Sequence, residues 1–133
     1  MPKVSKQSCY PMIVGAGLLA WFVPGAGHFL LGEKKRAVII FITLVLTFAV
    51  GVYLGSIAVV DPVSSKPWFF VQFMCSPLVA IVGEMTVKNH YSVFGWPNEV
   101  GQIYTSTAGL LNLLCIVNAA YLAHLKAKPA TGA

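Results

Sequence analysis

Few side chains in this 133-residue sequence could do chemistry, and their spacing narrows the possibilities. Glu84 is the acid set deepest in an apolar run, and burying an ionisable group in lipid is costly enough to mark a functional site by default. Lys88 follows at i+4, one helical turn on and in the favourable acid-before-base order. Glu84 and Lys88 therefore read first as an interfacial ion pair and second as a proton- or cation-coupling site. His28, His90 and His124 have no second ligand at i+3 or i+4, so no metal site is expected. All three lie near the ends of apolar runs, where an imidazole can reach water. Ligation of a haem iron or a pigment magnesium by His28 or His124 is the one cofactor-binding role open to them. Cys9, Cys75 and Cys115 are isolated and form no C-x-x-C, so no disulfide framework is implied; Cys75 and Cys115 read as small core residues. There is no G-x-S-x-G, no H-E-x-x-H, no phosphate loop and no pair of carboxylates in neighbouring turns. An enzyme is not expected, and no cofactor is required.

The elements that must position these groups are four apolar segments, 12–31, 37–60, 67–87 and 100–123, within one domain over 1–133. The second and fourth carry no charge. At 1.5 Å per residue the second reaches roughly 36 Å, enough to cross a ~30 Å hydrocarbon core with some tilt. Continuous apolar runs of this length predict helices rather than the short alternating strands of a barrel. The expected fold is an all-α integral membrane protein of four helical segments, the first kinked or broken at Pro24-Gly25, where the proline lacks an N–H. Asp61 to Pro67 is a polar turn whose prolines stop one helix and open the next. Trp68 and Trp96 suit membrane-interface anchors, as do His28, Lys34, Lys35 and Arg36 at the first turn. The connection 88–99, with Tyr91, Phe94 and Trp96, is expected to lie on the membrane surface.

Two faces are shaped for close helix packing. Gly51 and Gly55 form a G-x-x-x-G element, a groove into which another helix backbone fits. Ala108, Asn112, Cys115 and Ala119 fall at i, i+4, i+7 and i+11, one small and partly polar face. Packing inside the chain and docking to a partner chain both fit these patterns.

Composition agrees with a membrane solvent: 57% of residues are hydrophobic, 10% charged, and the mean hydropathy is +0.77. A soluble domain carries about 25% charged residues. Nine Lys and Arg against four acids give a net charge of +5, but the bases are scattered and draw no nucleic-acid face. The first apolar run, after Lys3 and Lys6, reads as an anchor rather than a cleaved signal. Pro24 to Gly32, PGAGHFLLG, followed by the basic turn Glu33-Lys34-Lys35-Arg36, resembles the P-G-x-G-H-F-Y-x-G signature of bacterial two-helix membrane domains. With the run Tyr104 to Leu114, the longer chain is similar to a group of small uncharacterised bacterial membrane proteins sharing that signature, with Leu30 in place of the usual aromatic. The resemblance implies a polytopic membrane protein and supplies no reaction.

If all four segments cross, the bases divide five against four; if the first dips in and returns at Pro24, they divide six against three. Neither fixes an orientation. The functional expectation is a non-catalytic accessory or scaffolding subunit of a larger membrane complex, an energy-converting one among the candidates, in the bacterial inner membrane. Its expected partners are membrane lipids, bound lipid included, and other integral membrane subunits. The alternatives are a small oligomeric transporter or channel using Glu84, and a pigment- or haem-binding subunit.

Overall fold

The computed structural model describes residues 9–90 and 95–128, so Lys3, Lys6, Tyr91 and Phe94 lie outside the described residues. Those described are all helical: α1 (Cys9–Phe22), α2 (Ala26–Leu30), α3 (Lys34–Gly55), a 3-10 turn (Ile57–Val59), α4 (Lys66–Phe73), α5 (Val79–Lys88) and α6 (Trp96–Ala127). Among the described residues only α3, with 22 residues, and α6, with 32, are long and apolar enough to cross a membrane, not the four segments expected.

Proline accounts for the difference. Within 12–31, the missing N–H of Pro24 ends α1, and Gly25 turns the chain at a φ of 87° that a side chain would strain. Within 67–87, Pro77 cannot donate to the carbonyl of Phe73, so a segment expected to be continuous divides into α4 and α5. Helices of 8 and 10 residues rise only about 12 and 15 Å. The second segment also stops earlier than expected, at Gly55, where Ser56 takes a φ of 68° and sends Val59 and Val60 into the core.

Contacts fix where the short helices go. The helices α3 and α6 are antiparallel. Lys126 near the end of α6 donates to Leu31 O and sits 3.5 Å from Glu33 Oε1, just before α3 begins. At the other end Gly55 packs against the carbonyl of Pro97. Met12 and Ile13 open α1 beside Ala123 and Leu31, and Ala20 ends it beside Asn112, midway along α6. The chain then turns back through α2, where Gly27 packs on Ala16 and Ala119, to Leu31 beside Lys126. The first segment therefore enters and leaves by the same end.

The second hairpin enters from the opposite end. Gln102 binds Ser65 at its start, and Met74 and Cys75 reach Asn112 at its tip. Val79 then packs with Leu44, and Thr86 returns to donate to Ile57 O at 3.1 Å. Between α3 and α4 the Asp61 carboxylate accepts the N–H groups of Val63 and Ser64 at 2.8 and 3.1 Å. Burial pushes the Asp61 pKa up, but these hydrogen bonds outweigh it and hold the carboxyl below its ordinary value.

Small residues let the backbones meet. A Cβ on Gly51 would lie 2.6 Å from Thr105 Cγ2 and 2.9 Å from Gly101 O, and one on Gly101 would lie 2.7 Å from Gly51 O. Side-chain burial is inverted relative to a water-soluble protein. The largest fully buried side chains are His28, Gln72, Val59, Val60, Asn112 and Thr105, four of them polar, while Ile39, Phe41, Ile42, Leu46, Leu114 and Val117 are exposed.

A Cβ on Gly109 would drive into the carbonyl of Val71, whereas one on Gly15 meets nothing within 4 Å. Gly109→Ala should therefore destabilise the fold by about 1–3 kcal/mol, and Gly15→Ala should stabilise it by up to about 1 kcal/mol through helix propensity. Thermal unfolding of the two variants in one detergent checks the opposite signs.

Candidate functional site

The two hairpin tips meet at mid-length of α6, and the sequence supplies a donor for each carbonyl that a proline leaves free. Pro24 removes the partner of Ala20 O, and Asn112 Nδ2 donates to it at 3.3 Å. Pro77 removes the partner of Phe73 O, and the Trp21 indole N–H donates to it at 3.1 Å. The same Asn112 amide reaches Met74 O at 3.1 Å and Cys75 O at 2.8 Å, so its two protons serve three carbonyls. Ser76 Oγ, beside Pro77, donates to Phe22 O at 2.9 Å. Trp21 also meets the Phe73 ring edge-on, with centroids 5.4 Å apart and an interplanar angle of 76°.

One turn away, Gln72 Nε2 donates to Val59 O at 3.2 Å and to Thr105 Oγ1 at 2.8 Å. The Thr105 hydroxyl lies 2.9 Å from Gly101 O within its own helix. Asn112 Oδ1 and Gln72 Oε1 find no donor among the described residues. The centre is built from amides, hydroxyls, an indole and backbone carbonyls, with the Cys75 thiol as its one titratable side chain. It binds backbone and orders the two tips.

The other sequence candidates scatter. Ala108, Asn112 and Ala119 are fully buried and Cys115 is half-buried, so that face looks into the fold. Gly51 and Gly55 are occupied by α6 in the same way and are not open to another chain. His28 is buried inside the fold rather than exposed. It is 1% exposed and lines a cavity of about 340 Å³ between α3 and α6, with Thr43, Leu111, Cys115 and Asn118. The glycines around it let α2 sink between neighbours, which buries its side chain. His124 is exposed near the end of α6 and does not line that cavity, so the two histidines form no joint site. Glu84 and Lys88 approach to 4.0 Å with both side chains about three-quarters exposed at the end of α5. Lys34, Lys35 and Arg36 are exposed at one end of the bundle, and Trp68 and Trp96 at the other. Among the described residues no three His, Cys, Asp or Glu side chains come together to hold a metal.

Trp21, Gln72, Ser76, Thr86 and Thr105 were not singled out by sequence reasoning. A signal existed: each is a donor inside or beside an apolar run that also contains a proline break or a helix end.

Replacing Asn112 by Leu would leave three buried carbonyls without their donor, an expected loss of about 2–4 kcal/mol, whereas Asn118→Leu, at an exposed position, should change little. Denaturant or thermal unfolding in detergent measures both, and equal effects would contradict the role given to Asn112.

No curated protein and no solved structure matches this chain. A family model does match, over residues 15–130, nearly the whole sequence. The chain belongs to that family, DUF6677, a family of unknown function.

Proposed function

We propose that the chain is a small integral membrane protein of non-catalytic role, an accessory or scaffolding subunit of a larger assembly in a bacterial cytoplasmic membrane. The inverted burial carries this reading. Large apolar side chains face outward along α3 and α6, while the interior combines small residues and polar side chains with a modest apolar cluster around Leu44, Val60 and Val79. Water would penalise that arrangement, and acyl chains would solvate it. The burial of only 17% of the apolar window of α3 fits a lipid-facing helix better than the core helix of a soluble protein. The outward apolar faces are the surfaces available to partner subunits.

The charges support an orientation. With both hairpins returning to the end they entered by, Lys34, Lys35, Arg36, Lys126 and Lys128 share one end, among the described residues, with Glu33 alone. Lys66 and Lys88 share the other with Asp61, Glu84 and Glu99. Among the described residues, five bases against two is a bias that, under the positive-inside rule, favours the Lys34–Arg36 end as the cytoplasmic one.

Of the rival readings, a carrier built on Glu84 lacks support, because that carboxylate is exposed and paired rather than deep in the bundle. Haem or pigment ligation keeps one favourable observation, the cavity beside buried His28, and predicts visible absorbance in the purified protein.

Co-purification in mild detergent tests the subunit role: the native chain should emerge with a larger membrane protein, and a stable lone monomer would contradict it. Sidedness is tested separately with Lys35→Cys, Lys128→Cys and Lys66→Cys, labelled by a membrane-impermeant thiol reagent. The first two should react from the cytoplasmic side and the third from the opposite side; labelling of Lys66→Cys together with Lys35→Cys would refute the topology.

A further inference from the structure

Two apolar grooves run together along one face of α3. The first, of about 270 Å³, is walled by Phe29, Ala37 and Val38; the second, of about 450 Å³, by Val45, Phe48, Leu78 and Val82. Val23, Pro24 and Phe41 line both, so the grooves are continuous past the tip of the first hairpin. Each lies within or close to the range of about 300–1,000 Å³ typical of small-molecule sites. Lys34, Val38, Phe41, Val45 and Phe48 fall at i, i+4, i+7, i+11 and i+14, so the lysine caps the apolar stripe. Its Nζ lies 5.9 Å from the centroid of the Phe29 ring, which forms the groove's upper wall. Lys35 and Arg36 follow at once. Among the described residues none of the three bases has a carboxylate within 4.0 Å, because the adjacent acid Glu33 is engaged by Lys126.

We propose that this face binds one anionic phospholipid, with an acyl chain in the groove and the phosphate held by Lys34, while Lys35 and Arg36, on other faces of the same turn, add positive charge at that end of the helix. The inference rests on the membrane reading above. From Val38 to Phe48 the groove runs about 15 Å, the depth of one leaflet of a ~30 Å hydrocarbon core. The bases stand at the end assigned to the cytoplasmic leaflet, where anionic lipids attract juxtamembrane Lys and Arg. Charge complementarity selects this occupant. An apolar helix of a partner would fill the groove but would leave Lys34 at its mouth unmatched.

The test reconstitutes the full chain in vesicles of phosphatidylglycerol and phosphatidylcholine, extracts it in mild detergent and counts retained lipid by native mass spectrometry. The native chain should keep one phosphatidylglycerol, preferred over phosphatidylcholine by about tenfold or more. Lys34→Gln/Lys35→Gln/Arg36→Gln should bring the preference to parity, while Lys66→Gln/Lys88→Gln should leave it intact. Val45→Trp should empty the groove, and Val50→Trp, which adds the same bulk outside it, should not. Equal retention of both lipids by the native chain, unchanged retention in Val45→Trp, or a protein in place of the lipid would each overturn the site. A chain that stays in vesicle membranes through an alkaline wash but shows no preference refutes the lipid site alone. A chain that does not enter the vesicles refutes the membrane reading and the site with it.

Discussion

Two prolines each leave one backbone carbonyl without its helical partner, and the rest of the fold is arranged around supplying replacements. In water a free carbonyl is solvated at once. Buried in a bundle with an apolar exterior, it must find a protein donor or weaken the fold. Ala20 O and Phe73 O find theirs in Asn112 and Trp21, from elements distant in sequence. These bonds hold the tips of two hairpins against each other and against the middle of α6. The breaks are thus the points at which the molecule is tied together.

That constraint explains the inverted interior. A centre that must present amide, indole and hydroxyl donors to backbone cannot be filled with Leu and Phe. The helices around it must also approach closely, which Gly51, Gly55, Gly101 and Gly109 allow. Large apolar side chains are consequently displaced outward. An apolar medium would solvate the outward side chains, in keeping with the membrane location proposed above.

Part of this was legible in the sequence. The helical class, the break at Pro24-Gly25 and the α3 region follow from local rules of proline geometry and apolar run length. So does the small face of Ala108, Asn112, Cys115 and Ala119, because helical spacing alone puts those residues together. The division of 67–87 was missed, although Ser76-Pro77 stands in its middle, because hydropathy does not fall at a proline when the carbonyl four residues before it finds a donor elsewhere. That donor, Trp21, is 52 residues away, and the link between Asn112 and Ala20 spans 92. Such pairings are set by tertiary contact and leave no periodic trace. His28 was misplaced for a related reason: spacing puts it beside a basic turn, while the glycines around it let the short helix sink inward.

The functional reading follows from the same geometry. Both hairpins return to the end they entered by, so the charges sort into a basic end and an acidic one, and the groove beside α3 opens under the basic end. Everything rests on the claim that 66–88 is a hairpin and not a span. Pulsed electron paramagnetic resonance between spin labels at Lys66→Cys and Lys88→Cys in lipid nanodiscs tests it most directly. The account predicts a separation well below the ~33 Å that one continuous helix over those residues would impose. A distribution centred near ~33 Å would contradict it.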